Sequence, residues 1–394
     1  MGAQAFPPDL LGQPITTRLA YFVGKVVVHP RLQDTHQALV RAIQQPAGAP
    51  LILVFGPTGV GKTTLRRGIE KQLIDAALPG LTQDPGRIPV VGLEAVAGEA
   101  GQFNWKDYYI RALRALDEPL IAYKIGDQPQ NNRRESADGV PLHQAAAPEL
   151  RRAWEQALRY RRPAAVLVDE AQHLKRMPSG RRLLDQMDVL KSLAALTETV
   201  HVLFGTYELV GLATLSAQLS RRSREIHFGR YHMDNPGDRQ AFQNVLFTFQ
   251  RHLPLAQEPD LVGQVDYLYE QSVGCIGVLK EWLNRALAAA LEDGAATLTT
   301  PYLQREAEPA RKLLRLAREI QEGEEALRED GREREDVRRF LGLPCTPTPQ
   351  HAVASAATPV TAGANPSARR RRARVAERRP LRDPVGVRGC EHVS

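Results

Sequence analysis

The octapeptide Gly56-Pro57-Thr58-Gly59-Val60-Gly61-Lys62-Thr63 directly follows the apolar run Leu-Ile-Leu-Val-Phe at 51–55, and that order admits few folds. A buried strand that breaks into a glycine-rich turn and re-forms as a helix is the phosphate-binding loop of an α/β protein. Gly56, Gly59 and Gly61 let the backbone curl so that successive N–H groups and the N-terminus of the next helix face one point of negative charge. Pro57, Thr58, Val60 and Thr64 complete the cradle. Lys62 is placed to reach β- and γ-phosphates as a point charge, and Thr63 to offer its hydroxyl to Mg²⁺. The loop therefore implies a nucleoside triphosphate and Mg²⁺.

Downstream, apolar stretches alternate between two periods. Residues 64–76, 104–116, 148–160 and 181–196 carry apolar residues at helical spacing, whereas 88–93, 164–168 and 200–204 are short buried-strand runs. Strand–helix alternation predicts a mostly parallel sheet with helices on both faces. Residues 126–144 are polar and broken, a surface excursion. From residue 235 the strand runs stop, and 242–251, 260–272, 276–291 and 302–321 read as successive helices. The expected organisation is a Pro-rich N-terminal lead-in at 1–45 with one short helix at 32–43, an α/β nucleotide-binding domain at 46–233 and a helical lid at 234–322. A charged helical extension at 323–342 and a disordered basic tail at 343–394 follow.

Hydrophobic content of 43% with 25% charged residues is ordinary for a soluble chain, and no run approaches the ~18 apolar residues of a membrane span. The first residues lack the basic start and apolar core of a secretion signal. Cys275, Cys345 and Cys390 are too scattered for a disulfide framework or metal knuckle, which fits a reducing cytoplasm. Of the net charge of +7, residues 366–394 carry +6, through nine arginines against Glu377, Asp383 and Glu391. The body is thus nearly neutral, and its basic side chains are judged by clustering.

The run at 164–168 ends in Asp169 and Glu170. A carboxylate closing a buried strand that adjoins the phosphate-loop strand can hold the water shell of Mg²⁺, the role expected of Asp169. Glu170 beside it can orient or deprotonate an attacking water. Thr206, just past the strand run at 200–204, can bring a hydroxyl near the γ-phosphate, or is simply a turn residue beside Gly205. Arg221, Arg222 and Arg224 cluster near an expected helix end. One of them can reach a neighbouring subunit's γ-phosphate, and the plain alternative is a solvated basic helix end.

The succession of 56–63, Asp169-Glu-Ala-Gln-His-Leu174, Phe204-Gly-Thr206, Gln218-Leu-Ser-Arg-Arg222 and Gly274-Cys-Ile-Gly277 resembles AAA+ ATPases. More narrowly it is similar to the TnsC/TniB regulators of DNA transposition. The phrases Val28-His29-Pro30-Arg-Leu32 and Phe103-Asn-Trp105-Lys-Asp-Tyr-Tyr109 add to that likeness, which spans about residues 20–320. The resemblance implies a P-loop AAA+ core with a small all-α lid, and Mg²⁺-dependent hydrolysis of ATP. It also implies a homo-oligomeric ring or helical filament on duplex DNA, with a transposase and a target-selection adaptor as partners. Arg222 best matches the family's arginine finger by position, although Ser223 follows it where an aromatic is usual. Val278 stands where many relatives carry a sensing arginine, with Lys280 two residues on as a substitute.

Trp105 with Lys106, and Lys175 and Arg176 with Arg181 and Arg182, sit in segments able to line one face of an oligomer and neutralise DNA phosphates. Helix packing is the competing reading for Trp105, and a solvated loop for the basic pairs. The rival function is a protein-directed signalling or secretion-associated AAA+/STAND ATPase that binds no DNA.

Overall fold

The computed structural model describes residues 5–97, 103–116, 146–175, 180–213, 221–328 and 331–343. The surface excursion expected at 126–144 and the tail from 344 onward lie outside the described residues.

Five strands form one parallel sheet: β1 Leu51–Phe55, β2 Val90–Glu94, β3 Ala165–Asp169, β4 Val200–Gly205 and β5 Ser223–His227, in the spatial order β2-β3-β4-β1-β5. β1, β3 and β4 are buried along their whole length, as continuous apolar runs in a doubly covered sheet should be. Side chains alternate across the sheet. Leu51, Leu53 and Phe55 join the apolar cluster formed with α4 (Trp105–Ala115), α5 (Ala147–Arg161) and α6 (Gly180–Thr197). Ile52 and Val54 join the opposite one, covered by α2 (Pro30–Gln44) and α3 (Lys62–Leu81). On α3, Leu65, Ile69 and Leu73 recur every four residues and are buried, which fixes the helix against the sheet.

β5 was not expected; the sequence reads there as a basic helix end. Of its five residues only Ile226 is buried, so the strand carries no alternating signal. It is a strand because it pairs in register with β1, Leu51 opposite Ser223 through Phe55 opposite His227. A second correction concerns the connection between strands: β4, not β3, adjoins β1. The acids at the end of β3 are thus one strand removed from the loop, and the turn after β4 lies between them.

The lead-in is also more ordered than its prolines imply. α1 (Ile15–Gly24) follows Pro14, and its buried Phe22 packs edge-on against Phe249 at 6.0 Å. α2 starts at Pro30, two residues before the expected start, because the His29 ring accepts the Leu32 N–H as an N-cap.

Beyond the sheet come α8 (Pro236–His252), α9 (Val265–Ser272), α10 (Ile276–Glu292), α11 (Thr300–Arg305) and α12 (Ala310–Ala326); the short α7 (Val210–Ala213) precedes β5. Phe242, Leu246 and Phe249 of α8 and Leu279, Trp282 and Leu283 of α10 form a third cluster, which Phe22 of α1 joins. The Trp282 indole N–H is satisfied by the Leu303 carbonyl at 3.0 Å. α12 returns to the sheet: a Cβ on Gly323 would lie 2.2 Å from Tyr207, and Arg230 meets both oxygens of Glu324 at 2.9 and 3.2 Å. The described residues 331–343 belong to a second unit, in which α13 (Gly331–Phe340) exposes Val337 and Phe340. No helix among the described residues is long and apolar enough to cross a membrane.

Candidate functional site

The phosphate loop is shaped by its glycines. A Cβ on Gly56 would lie 2.0 Å from the Phe228 carbonyl oxygen, where the chain leaving β5 crosses the loop. Gly61 has φ +116°, a left-handed conformation that favours glycine, and α3 begins at the next residue. The helix N-terminus therefore opens into a cavity of about 240 Å³ lined by Thr58, Gly59, Gly61, Lys62, Thr63 and Thr64, with Glu170, Gln172, Thr206, Gly277 and Glu281 opposite. Free N–H groups and the positive end of the helix macrodipole both favour an anion there.

Lys62 is buried, and its ammonium donates to the carbonyls of Gly56 at 3.0 Å and Pro57 at 2.8 Å. Burial pulls it down to about 8, against the opposing charges of Glu170 and Asp169. It is a cation held ready at the loop by neutral acceptors, which a phosphate oxygen would outcompete.

Asp169 closes β3 and is almost fully buried. Its Oδ2 accepts the Thr63 hydroxyl at 3.1 Å and the Arg66 Nε–H at 3.2 Å, while Oδ1 accepts the Glu170 N–H at 3.0 Å. Glu170 has φ +53°, uncommon for a residue with a side chain and costing on the order of 1 kcal/mol. That turn sends the chain away from the strand and leaves the Glu170 side chain on the cavity wall. The Gln172 amide donates to Glu170, and its oxygen accepts the Thr206 N–H at 3.4 Å, so one side chain bridges the ends of β3 and β4. Thr206 caps the short turn Tyr207–Leu209, accepting the Glu208 N–H at 3.4 Å. Thr63 on the cavity wall and Asp169 behind it offer hard oxygens in direct contact, a donor set that fits Mg²⁺ completing its octahedron with water and phosphate oxygen.

A second cavity of about 130 Å³ shares Gly61, Thr64 and Gly277 with the first. Its other walls are Val23 and Lys25–Val27 with His29 and Leu32, Val60 of the loop, and Phe249, Ile276 and Lys280. Its lining is largely aliphatic and it adjoins the phosphate cavity, which suits the base of a nucleotide whose phosphates occupy the first. The Val278 N–H donates to the Gly59 carbonyl at 3.1 Å, which seats the start of α10 on the loop. The Lys280 ammonium donates to the Phe22 carbonyl and lies 3.2 Å from the Phe22 ring centroid, and burial pulls it down to about 7. It lines this second cavity rather than the phosphate cavity, whose lid side presents Glu281 instead.

The structure thus brings together 58, 59, 61–64, 170 and 206 around one cavity, with Asp169 behind Thr63 and Val60 on the neighbouring wall. Arg221, Arg222 and Arg224 are exposed and line neither cavity of their own chain. Trp105 packs within a knot of rings, 5.1 Å from Phe103, 5.3 Å from Tyr108 and 5.5 Å from Tyr109. The neighbouring Lys106 N–H is capped by Asn104 at 3.0 Å. Arg176 lies outside the described residues, and only the backbone of Lys175, Arg181 and Arg182 is described. Sequence reasoning assigned no role to Gln172, Arg66 or the second cavity. Gln172 lay inside the quoted Asp-Glu-Ala-Gln phrase, whereas the cavity walls come from segments far apart in the chain.

A parallel sheet in this order, with a phosphate loop after β1, acids after β3, a polar turn after β4 and a helical lid seated on the loop, defines the P-loop AAA+ fold. Residues 44–212 match the family model described as an AAA domain. Among solved structures the chain is similar to the ORC2 protein of Aeropyrum pernix, in its ADPNP–ADP complexes, at 16% identity over 74% of this chain and 73% of that one, with a TM-score of 0.46. It is also similar to Cdc6p of Pyrobaculum aerophilum, at 15% identity over 73% and 69% with a TM-score of 0.48. A Walker-type ATPase of Pyrococcus abyssi gives 17% identity over 79% and 76%, with a TM-score of 0.45. No curated protein matches the chain.

Proposed function

We propose that this protein is a cytoplasmic, ATP-hydrolysing AAA+ regulator of DNA transposition, which assembles on duplex DNA as a ring or helical filament and links target selection to a transposase. The observation that carries the hydrolytic part is the Gln172 bridge, which ties Glu170 to Thr206 across the cavity from Lys62. In that arrangement Lys62 and the N-terminus of α3 bind the β- and γ-phosphates, and Thr63 and Asp169 would hold Mg²⁺. When bound, Mg²⁺ neutralises charge on the transferring phosphate. Glu170 orients the water, and Thr206 holds the γ-phosphate end of the cavity.

Arg222, exposed and remote from its own cavity, suits a trans-acting arginine; assembly would then depend on the γ-phosphate it senses in a neighbour. Support for transposition is the motif likeness across residues 20–320, not any contact described above. The packing of Trp105 among three aromatic rings favours the rival protein-directed switch to that extent, since a ring so engaged is less free to stack on DNA.

Sedimentation with duplex DNA, with and without a non-hydrolysable ATP analogue and at two salt concentrations, tests the proposal. Large complexes that need both nucleotide and DNA, and that weaken with salt, are expected. Nucleotide binding without any DNA complex would move the reading to the protein-directed switch.

A further inference from the structure

Arg66 lies outside the phosphate-loop motif, yet it occupies the acid end of the site. α3 places it three residues after Thr63, on the same helix face. Its Nε–H donates to Asp169 Oδ2 at 3.2 Å, the oxygen that also accepts the Thr63 hydroxyl, and a terminal N–H donates to Glu70 Oε2 at 3.1 Å. Only 17% of the Arg66 side chain is exposed. Gly92 faces it from inside β2, where glycine ordinarily weakens a strand. A Cβ at 92 would lie 2.7 Å from an Arg66 terminal nitrogen and 3.0 Å from a Glu70 oxygen, so the missing side chain is the space in which this ion-pair fork sits.

The Asp169 oxygen facing Thr63 is therefore already engaged by two donors, one of them a full positive charge. A divalent cation held between Thr63 and Asp169 competes for that same oxygen. The i,i+4 carboxylate of Glu70 gives the guanidinium a second anchor within reach.

We infer that Arg66 is a positioning residue that stands in for the divalent cation, pairing with Asp169 in the metal-free site and resting on Glu70 when Mg²⁺ is bound. The inference depends on the nucleotide–Mg²⁺ reading of the cavity and adds to it a device that sets how strongly metal and nucleotide binding are coupled.

The test measures the affinity of the full-length protein for a fluorescent, non-hydrolysable ATP analogue in excess Mg²⁺ and in EDTA; the ratio is the metal gain. Arg66→Ala frees Asp169 and is expected to raise the gain about five-fold. Glu70→Gln removes the alternative anchor and is expected to lower it. A role in packing alone would weaken binding equally in both buffers and leave the ratio unchanged, which overturns the inference, as does a lower gain in Arg66→Ala. Should Arg66→Ala fail to give a cooperative melt, the sign of the change in Glu70→Gln decides. A wild-type protein that binds the analogue in neither buffer refutes the nucleotide reading itself. A wild-type metal gain that both variants share refutes only the exchange of Arg66.

Discussion

The two cavities on either side of the phosphate loop are built in opposite ways. The phosphate cavity takes most of its wall from six residues between Thr58 and Thr64 and from two strand ends, where backbone N–H groups and a helix N-terminus favour an anion. The second cavity is assembled from α1 and the segment after it, one face of the loop, and residues of α8 and α10 far along the chain, Phe249, Ile276, Gly277 and Lys280. The first is a local consequence of chain chemistry and the second of long-range packing. Damage to the first should abolish chemistry or phosphate affinity whatever the base, whereas damage to the second should affect only ligands that carry a base and can leave phosphate recognition intact.

The largest effect expected is on hydrolysis. Glu170→Gln keeps the shape of the wall but removes the basic oxygen, and phosphate release should fall by ~10²–10³-fold while analogue affinity holds. Normal turnover in that variant would remove Glu170 from the water-positioning role. Next, Lys62→Ala should weaken ATP, ADP and inorganic tripolyphosphate alike, by ~10²-fold, because it deletes a charge-assisted bond common to all three. Equilibrium titration with the three ligands measures this, and a loss confined to nucleotides would contradict the division of labour.

A smaller and more selective effect is expected at the seam. A Cβ on Gly277 would sit 2.4 Å from the Gly59 carbonyl oxygen, so Gly277→Ala must lift the start of α10 off the loop. ATP affinity should drop ~10-fold and tripolyphosphate affinity much less. Equal losses for both ligands would show the two cavities to be one unit.

The smallest effect concerns pH. Burial pulls Lys280 down to about 7 and Lys62 down to about 8, while the unfolded chain keeps both protonated to the ordinary lysine range. Above pH 7 the unfolded state therefore binds more protons than the folded one, and stability contributed by these sites rises with pH. The melting temperature of wild type minus that of Lys280→Met, without nucleotide, should increase between pH 6.5 and 8.5 by a few degrees at most. A difference that stays flat or falls would mean that the Lys280 ammonium keeps its charge against the Phe22 carbonyl and ring.

Much of this was legible beforehand, for a specific reason. β1, β3 and β4 are buried on both faces, so each is a continuous apolar run, and the loop after β1 is written in contiguous glycines with a lysine. Asp169, Glu170 and Thr206 could be singled out because strand ends are where a parallel sheet delivers side chains to a common edge. Elements without a periodic signal were not found. β5 buries one residue of five and owes its conformation to pairing with β1, and α1 is a ten-residue helix made stable by docking Phe22 onto the helical lid.

Neighbours in the chain and the burial of uniform apolar runs are enough to specify a phosphate loop on a parallel sheet with acids two strand runs further on. Long-range packing sets the rest: β4 lies between β1 and β3, Gln172 ties Glu170 to Thr206, Arg66 shares Asp169 with Thr63 in the space left by Gly92, and Lys280 turns to Phe22. In each case strand order and side-chain partnership are settled by which distant surfaces exclude water together, and no local pattern encodes that choice.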